Sequence, residues 1–346
     1  MAHRQAQTIG IAFNLKRPAD DDTFEEYDEI ETIQALRTEI TRHGFAVTLL
    51  EQNDAFLRRV AGARVDFVVN IAEGRGATRG RESQVPCILE SLGIPYSGSD
   101  PVALGITLDK YLTGTILRAA GVPVPELHLI RDARDAERLR SMFKHGRQCI
   151  VKPRWEGSSK GVFLNSVVGD VRRLREQAAL IIRRYRQPAI AEEFLPGDEI
   201  TAGVCGNDRP RLLGMMRIRP RTPQEEPFIY SLENKHDWET KIWYEPAGVL
   251  APRIRRMVEE TALRAFRALE LRDIARIDFR VGADGVPAVI DVNPLPGLSP
   301  RYSDLPILYR LNGGTYRRLV ATLLRESLHR CGFAPRGRRR DASGTR

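Results

Sequence analysis

Short runs rich in Ile, Val, Phe and Leu alternate with stretches in which apolar residues return every third or fourth position. Ile9–Asn14, Phe45–Leu50 and Val65–Asn70 read as strands. Between the first two, Tyr27–His43 sets Ile30, Ile33, Leu36 and Ile40 on one face of a helix that Gly44 closes. A Gly- and Arg-rich loop, Glu73–Arg81, and a helix over Ser83–Leu92 lead to a strand-and-turn segment, Gly93–Ser99. Residues 1 to about 97 thus predict one small α/β unit.

Further on, Asp100–Ala120 predicts a helix, broken by Gly121–Pro125. Strands are expected at Glu126–Ile130, Cys149–Lys152, Val162–Asn165 and Ala189–Phe194, the last preceded by a long helix over Val171–Arg184. The final third predicts strands at Glu199–Cys205, Arg211–Arg217, Ala275–Val281 and Ala288–Val292. Between them lie a polar loop, Thr222–Glu245, and a helix, Pro252–Leu269. No internal repeat is visible. The fold class is α/β (α+β).

Composition narrows the function classes. The 346 residues are 42% hydrophobic and 29% charged, which suits a globular chain rather than a disordered one. The formal charge of +9 comes mostly from arginine, spread along stretches such as Arg172–Arg186 and Arg253–Arg267 and dense only at Arg336–Arg340. No stacking motif or basic reader helix accompanies it, so no nucleic-acid partner is expected. Cys87, Cys149, Cys205 and Cys331 are far apart, which argues for buried reduced thiols rather than a metal or disulfide framework. No signal-like or membrane-spanning stretch is seen, and a cytoplasmic protein without a membrane partner is expected.

Three segments carry candidate chemistry. In Val151–Gly161 a strand ends in Lys152, and a loop with two glycines, Ser158 and Ser159 follows. A fixed cation beside free backbone N–H groups suits phosphate, although an ordinary hairpin turn has the same composition. It is no P-loop, since the Gly-Lys-Ser/Thr ending is absent. In Glu192–Glu199 carboxylates at a strand end adjoin apolar side chains, as in a ribose-and-base pocket or in a solvated turn. In Arg276–Arg280 and Ile290–Pro294, joined by a turn at Ala283–Gly285, Asp278, Asp291 and Asn293 share one face of two strands. Those hard oxygen ligands suit Mg²⁺ on nucleotide phosphates, with a salt-bridge cluster as the other reading. Arg276 shares the face of Asp278. Lysine is scarce, yet Lys110, Lys152 and Lys235 all fall in or beside these loops.

Taken in order, LGIPYSGSD (Leu92–Asp100) with Leu108-Asp109-Lys110, VKPRWEGSSKGV (Val151–Val162), EEFLPGDE (Glu192–Glu199) and RIDF…IDVNPLPGLSP (Arg276–Pro300) resemble the D-alanine–D-alanine ligase branch of the ATP-grasp superfamily over roughly residues 8–332. The resemblance implies an ATP-grasp fold of three parts: an N-terminal domain (1–97), a central one (98–191) and a C-terminal one (192–335), followed by a basic disordered tail (336–346). It implies a ligase that activates a carboxylate as an acyl phosphate and joins it to an amine, with ATP clamped between the last two domains. Lys110, Lys152, Ser159 and Lys235 would then hold phosphates, Glu192 and Leu195 the adenine pocket, and Glu199 the ribose. Asp278, Asp291 and Asn293 would bind two Mg²⁺, or Mn²⁺ in their place. Arg276 and the Gly297 backbone would meet the oxyanion, with Ser158, His236 and Glu25 among the catalytic set. The glycine loop and Thr222–Glu245 would close over the site. Amino-acid-like substrates are the implied partners, and a homodimer is the family's common state.

This sequence departs from the family pattern on the substrate side. Glu25 is the best positional match for the glutamate that holds the first amino group, with Glu26 and Asp28 as competitors. The family's His-Gly…Gly-Glu-Asp-Gly loop becomes Glu73–Gly80, and its Lys-Tyr pair becomes Lys235-His236. A His in that loop occurs in relatives that join D-alanine to D-lactate, so an ester product stays open. Ser303 is the nearest hydroxyl to the expected Ser-Leu pair, displaced by one residue. Arg75, Arg79 and Arg81 suggest an acidic or larger carboxylate substrate, or a solvated Arg-rich loop.

Overall fold

A computed structural model describes residues 6–19, 21–222 and 228–334. The expected basic tail and residues 223–227 of the polar loop lie outside the described residues. Three strands, β1 (Thr8–Phe13), β2 (Ala46–Glu51) and β3 (Phe67–Asn70), form a parallel sheet in the order β2-β1-β3. Parallel neighbours need crossovers, which the helices Ile30–Arg42 and Phe56–Gly62 supply. β3 is buried along its whole length, as expected for a strand covered on both sides. The second of those helices had no counterpart in the sequence pattern.

The central sheet is antiparallel, with β4 (Leu127–Ile130), β5 (Cys149–Pro153), β6 (Val167–Val168) and β7 (Ala189–Glu193) in the order β4-β7-β5-β6. The amphipathic helix Val171–Tyr185 covers one face, burying Leu174, Ala178 and Ile181 against Val151 and Ala189. Two expectations need correction. Val162–Asn165 is not a strand: a 3₁₀ turn, Leu164–Ser166, occupies part of it, and the pairing falls to Val167–Val168. Asp100–Ala120 is two helices, Pro101–Leu108 and Lys110–Ala119, because Asp109 leaves helical geometry (φ −86°, ψ 94°) and its carboxylate caps the second at Leu112 N–H.

The third sheet holds β8 (Glu199–Gly206), β9 (Arg211–Pro220), β10 (Ile242–Pro246), β11 (Asp273–Val281) and β12 (Pro287–Asn293) in the order β10-β9-β8-β11-β12, all antiparallel. Alternation along β11 sorts its side chains. Ala275, Ile277 and Phe279 enter a core with Val258, Ala262 and Phe266 of the helix Pro252–Ala268, and Arg276, Asp278 and Arg280 take the other face. The polar loop expected over Thr222–Glu245 is partly regular, with short helices Leu232–His236 and Trp238–Lys241 and most of β10. The last two helices, Asp304–Leu311 and Tyr316–Arg330, return to the first sheet, where Leu319, Leu323 and Leu324 share a core with Ile9, Ile11 and Phe67.

Cys149 and Cys205 are buried, and burial pushes their thiols up to about 12 and about 11, so both are inert packing groups. Cys87 is exposed and Cys331 half-buried, which corrects the expectation that all four are buried. Among the described residues no helix is long and apolar enough to cross a membrane.

Candidate active site

Two adjoining cavities lie in the cleft that the three sheets frame. The smaller, about 100 Å³, is lined by Lys152 of β5, Glu192 of β7, Leu195, Glu199 and Thr201 of β8, Asp278 and Arg280 of β11, and Ser159. The larger, about 490 Å³, adds residues from the N-terminal segment and from Pro294–Asp304. Lys110, Ser158, Tyr230, Lys235, Arg276, Asp291 and Asp304 line both, so they stand at the junction.

Around the smaller cavity the charges come in matched pairs. Lys152 Nζ lies 2.9 Å from Glu192 and donates to Ile290 O at 3.3 Å. That carbonyl is available because Ile290 is an extra residue in the β11–β12 ladder, where the register shifts between Asp278 and Phe279. Glu199 pairs with Arg280 at 3.1 Å. Burial still raises both carboxyls above their ordinary range, against the pull of their cations. Arg280 has no role in the sequence reading. It donates to Leu195 O and Phe228 O and lies over the Phe194 ring at 4.5 Å, so it fixes the loop that walls the cavity. A buried arginine two residues beyond Asp278 on the same strand face was the signal for it.

The suggested metal ligands are brought together. Asp278 and Asp291 are direct cross-strand partners, as are Arg276 and Asn293. Asp278 accepts from Arg276, Thr201 Oγ1 and the Asn293 amide, and Asp291 accepts from Lys110 at 3.0 Å. Burial opposes ionisation of Asp291, yet Lys110 and Lys152 hold it below the ordinary carboxylate range. Among the described residues no three His, Cys, Asp or Glu side chains converge as a complete metal cage. Two carboxylates and one amide nonetheless fit a small hard cation such as Mg²⁺, which takes few protein ligands and completes its shell with water and phosphate.

Arg276 bridges the cavities through Asp278 at 2.9 Å and Asp304 at 3.3 Å. Although burial opposes its charge, those carboxylates raise it further, so it is a permanent cation. Lys235 differs: no carboxylate among the described residues lies within ion-pair distance, its ammonium sits 4.9 Å from the Tyr230 ring centroid, and burial lowers its pKa.

The loop after β5 is held in an unusual backbone. Ser158 and Ser159 have φ of 48° and 59°, and Gly157 approaches Glu26 so closely that a Cβ there would lie 2.7 Å from Glu26 Oε1. Ser159 Oγ donates to Tyr230 O at 2.9 Å, so in this state it ties the loop to the 228–236 segment instead of pointing a hydroxyl at phosphate. Gly297 lines the larger cavity, where a Cβ would lie 2.6 Å from Ser303 Oγ. Ser303 itself accepts from Ser299 N–H at 3.0 Å and so is engaged locally.

On the N-terminal wall Glu25 accepts from Lys16 at 3.1 Å and contacts His236 Nε2 at 3.0 Å. Burial works against it, but those two partners keep its carboxyl below the usual range. Glu26, by contrast, is locked into a buried quartet with Arg81 (2.6 Å), Lys160 (3.4 Å) and Glu156. Arg81 is therefore structural. Arg75 pairs with Asp54 and Arg79 reaches Asp109, and none of the three arginines lines either cavity. Glu73, Glu82 and Asp28 line the larger cavity on that side, where the sequence had suggested arginines.

A family model for the D-ala D-ala ligase C-terminus matches residues 116–325. The chain is 32% identical over 301 residues to a D-alanine–D-alanine ligase of Desulforudis audaxviator, covering 84% of this chain and 91% of that one. It is also 30% identical over 265 residues to an uncharacterised protein of Sinorhizobium fredii, covering 75% and 73%. Among solved structures, a D-alanine–D-alanine ligase of Bacillus anthracis complexed with ATP superposes with a TM-score of 0.70 at 23% identity, over 94% of this chain and 98% of that one. Fold and cleft thus define an ATP-grasp enzyme, a ligase. Within that class, the chain belongs to the D-alanine–D-alanine ligase family.

Proposed function

We propose that the protein joins an amino-acid carboxylate to the amine of a second amino-acid-like molecule, with ATP cleaved to ADP and phosphate. The observation that carries this reading is the junction, where Lys110, Lys235 and Arg276 line the smaller and the larger cavity at once. A phosphoryl group passing from one to the other meets fixed positive charge on the way. The ATP complex of the structural relative supports the choice of nucleotide.

Each residue then has a physical task. Lys152 and Lys110 neutralise phosphate oxygens, Glu199 receives ribose hydroxyls, and the wall around Leu195 and Phe194 takes the base. A bound Mg²⁺, held by Asp278, Asp291 and Asn293, would neutralise further phosphate charge. The substrate carboxylate attacks the γ-phosphorus, and the bond to ADP breaks. Lys235, which among the three junction cations has no carboxylate partner in the described residues, is placed to balance that transfer. The acceptor amine then attacks the acyl carbon, Arg276 and the Gly297 N–H stabilise the oxyanion, and phosphate leaves. Ser159 and Tyr230 tie the glycine loop to the 228–236 segment, which would keep water from the acyl phosphate.

Strict D-alanine–D-alanine ligation is the narrower form of this reading. A ligase for other amino acids or a hydroxy acid is favoured by His236, which lies on the cavity wall bonded to Glu25. The test is phosphate release from ATP with Mg²⁺ across D- and L-amino acids and hydroxy acids, with products weighed by mass spectrometry. A dipeptide from D-alanine alone supports the narrower form, whereas a different condensed pair supports the broader one. ATP binding without turnover on any pair would sink the ligase reading.

A further inference from the structure

The N-terminal wall of the larger cavity holds more carboxyl groups than it has cations paired with them. Glu26 and Glu156 are matched by Arg81 and Lys160, Glu25 by Lys16, Asp291 by Lys110, and Asp304 by Arg276. Four cavity-lining carboxylates are left over: Glu29, Asp28 beside it, Glu73 and Glu82. Glu73, Glu82 and the side chain of Asp28 have no hydrogen bond or ion pair among the described residues. Glu82 is only 7% exposed, so solvent does little to stabilise its charge.

We propose that this wall receives a substrate whose side chain bears its own positive charge, an α,ω-diamino acid, with Glu82, Glu73 and Asp28 supplying the carboxylates for the distal ammonium. The inference rests on the ligase reading and names the substrate class of its first site. The carboxylates do not gather into an ion's cage, so a molecule carrying an ammonium suits them better than a bare metal ion. The cavity, about 490 Å³, falls in the range that encloses a drug-sized ligand, which leaves room for a side chain longer than a methyl group. Lys235 and Arg301 also line the cavity but form no ion pair with these carboxylates, and the two cations that act on Glu82 are engaged elsewhere. Arg81 is turned away onto Glu26 and the Trp155 carbonyl, and Lys110 onto Asp291. Burial also pushes Asp28 up to about 7 and Glu82 up to about 8, the state expected of carboxyls awaiting a counter-charge.

Calorimetric titration of the full chain with MgADP present, using ornithine, lysine and uncharged norvaline in both enantiomers, tests this directly. At least about tenfold tighter binding of a diamino acid than of norvaline is expected, the effect of one charge-assisted hydrogen bond in a buried site. In Glu82→Gln that preference should collapse, with Glu73→Gln as the second variant should the first not fold. Norvaline binding as tightly as ornithine, a preference untouched by either substitution, or no amino acid binding at all would overturn the proposal. Product mass from the same mixtures with ATP keeps the two ideas apart. A diamino preference without ATP turnover would sink the ligase reading alone, and turnover restricted to neutral amino acids would sink this inference alone.

Discussion

The two cavities share a wall but balance their charges in opposite ways. Around the smaller one the buried carboxylates are paired with cations: Glu192 with Lys152, Glu199 with Arg280, and Asp278 and Asp304 with the shared Arg276. Along the N-terminal side of the larger one, Glu73, Glu82 and Asp28 have none among the described residues. A pocket for an unvarying ligand can be preorganised, its charges satisfied before the ligand arrives. A pocket that leaves charge unbalanced transfers part of its stabilisation to the ligand, and that is a source of selectivity.

The comparison is easiest to break at Arg280. Arg280→Ala strands the buried Glu199 carboxylate, and urea unfolding should show a loss of about 3–5 kcal/mol. An unchanged midpoint would mean the pairing is ornamental. Arg276→Lys keeps the charge but loses the planar fork, so kcat should fall about a hundredfold with little change in KM for ATP. A comparable rise in KM would assign Arg276 to nucleotide binding instead.

The unbalanced side should show itself in pH dependence. Asp28 and Glu82 stand above their ordinary values in the folded chain, so between about pH 4 and pH 8 the fold holds more protons than the unfolded chain. Stability therefore falls as pH rises through that window, by up to about 1.4 kcal/mol per pH unit for each group. Glu29 faces Asp28 and adds to its shift. Arg81 and Lys110 oppose that of Glu82, and Glu26 and Asp291 reinforce it. Thermal melts of the Asp28→Asn, Glu82→Gln double variant should flatten the slope, and an unaltered slope would place its origin elsewhere. The smallest effect is expected at His236, whose side chain is 54% exposed. His236→Ala should cost about 0.2–1 kcal/mol at most, seen as a minor rise in substrate KM.

The Asp278–Asn293 side of the smaller cavity was legible in the sequence because strand alternation is a local rule. Asp278, Asp291 and Asn293 follow it, and the structure places them on one face. The N-terminal wall of the larger cavity was not, because it comes from segments far apart in the chain. Glu73 and Glu82 flank a loop whose arginines drew attention, yet those arginines turn to Glu26, Asp54 and Asp109. Which of Glu25, Glu26 and Asp28 faces which partner depends on Lys16, His236 and Lys160, none of which a periodicity can align. The split at Asp109 was missed for a similar reason: its carboxylate also pairs with Arg154 at 2.7 Å, a tertiary contact that stabilises the break.

The core shared by Ile9, Ile11 and Phe67 with Leu319 and Leu323 joins segments roughly 250 to 310 residues apart. On a ribosome the first strands would leave the exit tunnel long before the helix that covers them has been made. For tens of seconds at ordinary elongation rates their apolar face would lack its cover, an interval in which a chaperone has something to hold. Strands made well before their cover are thus among the last parts of this core to be finished.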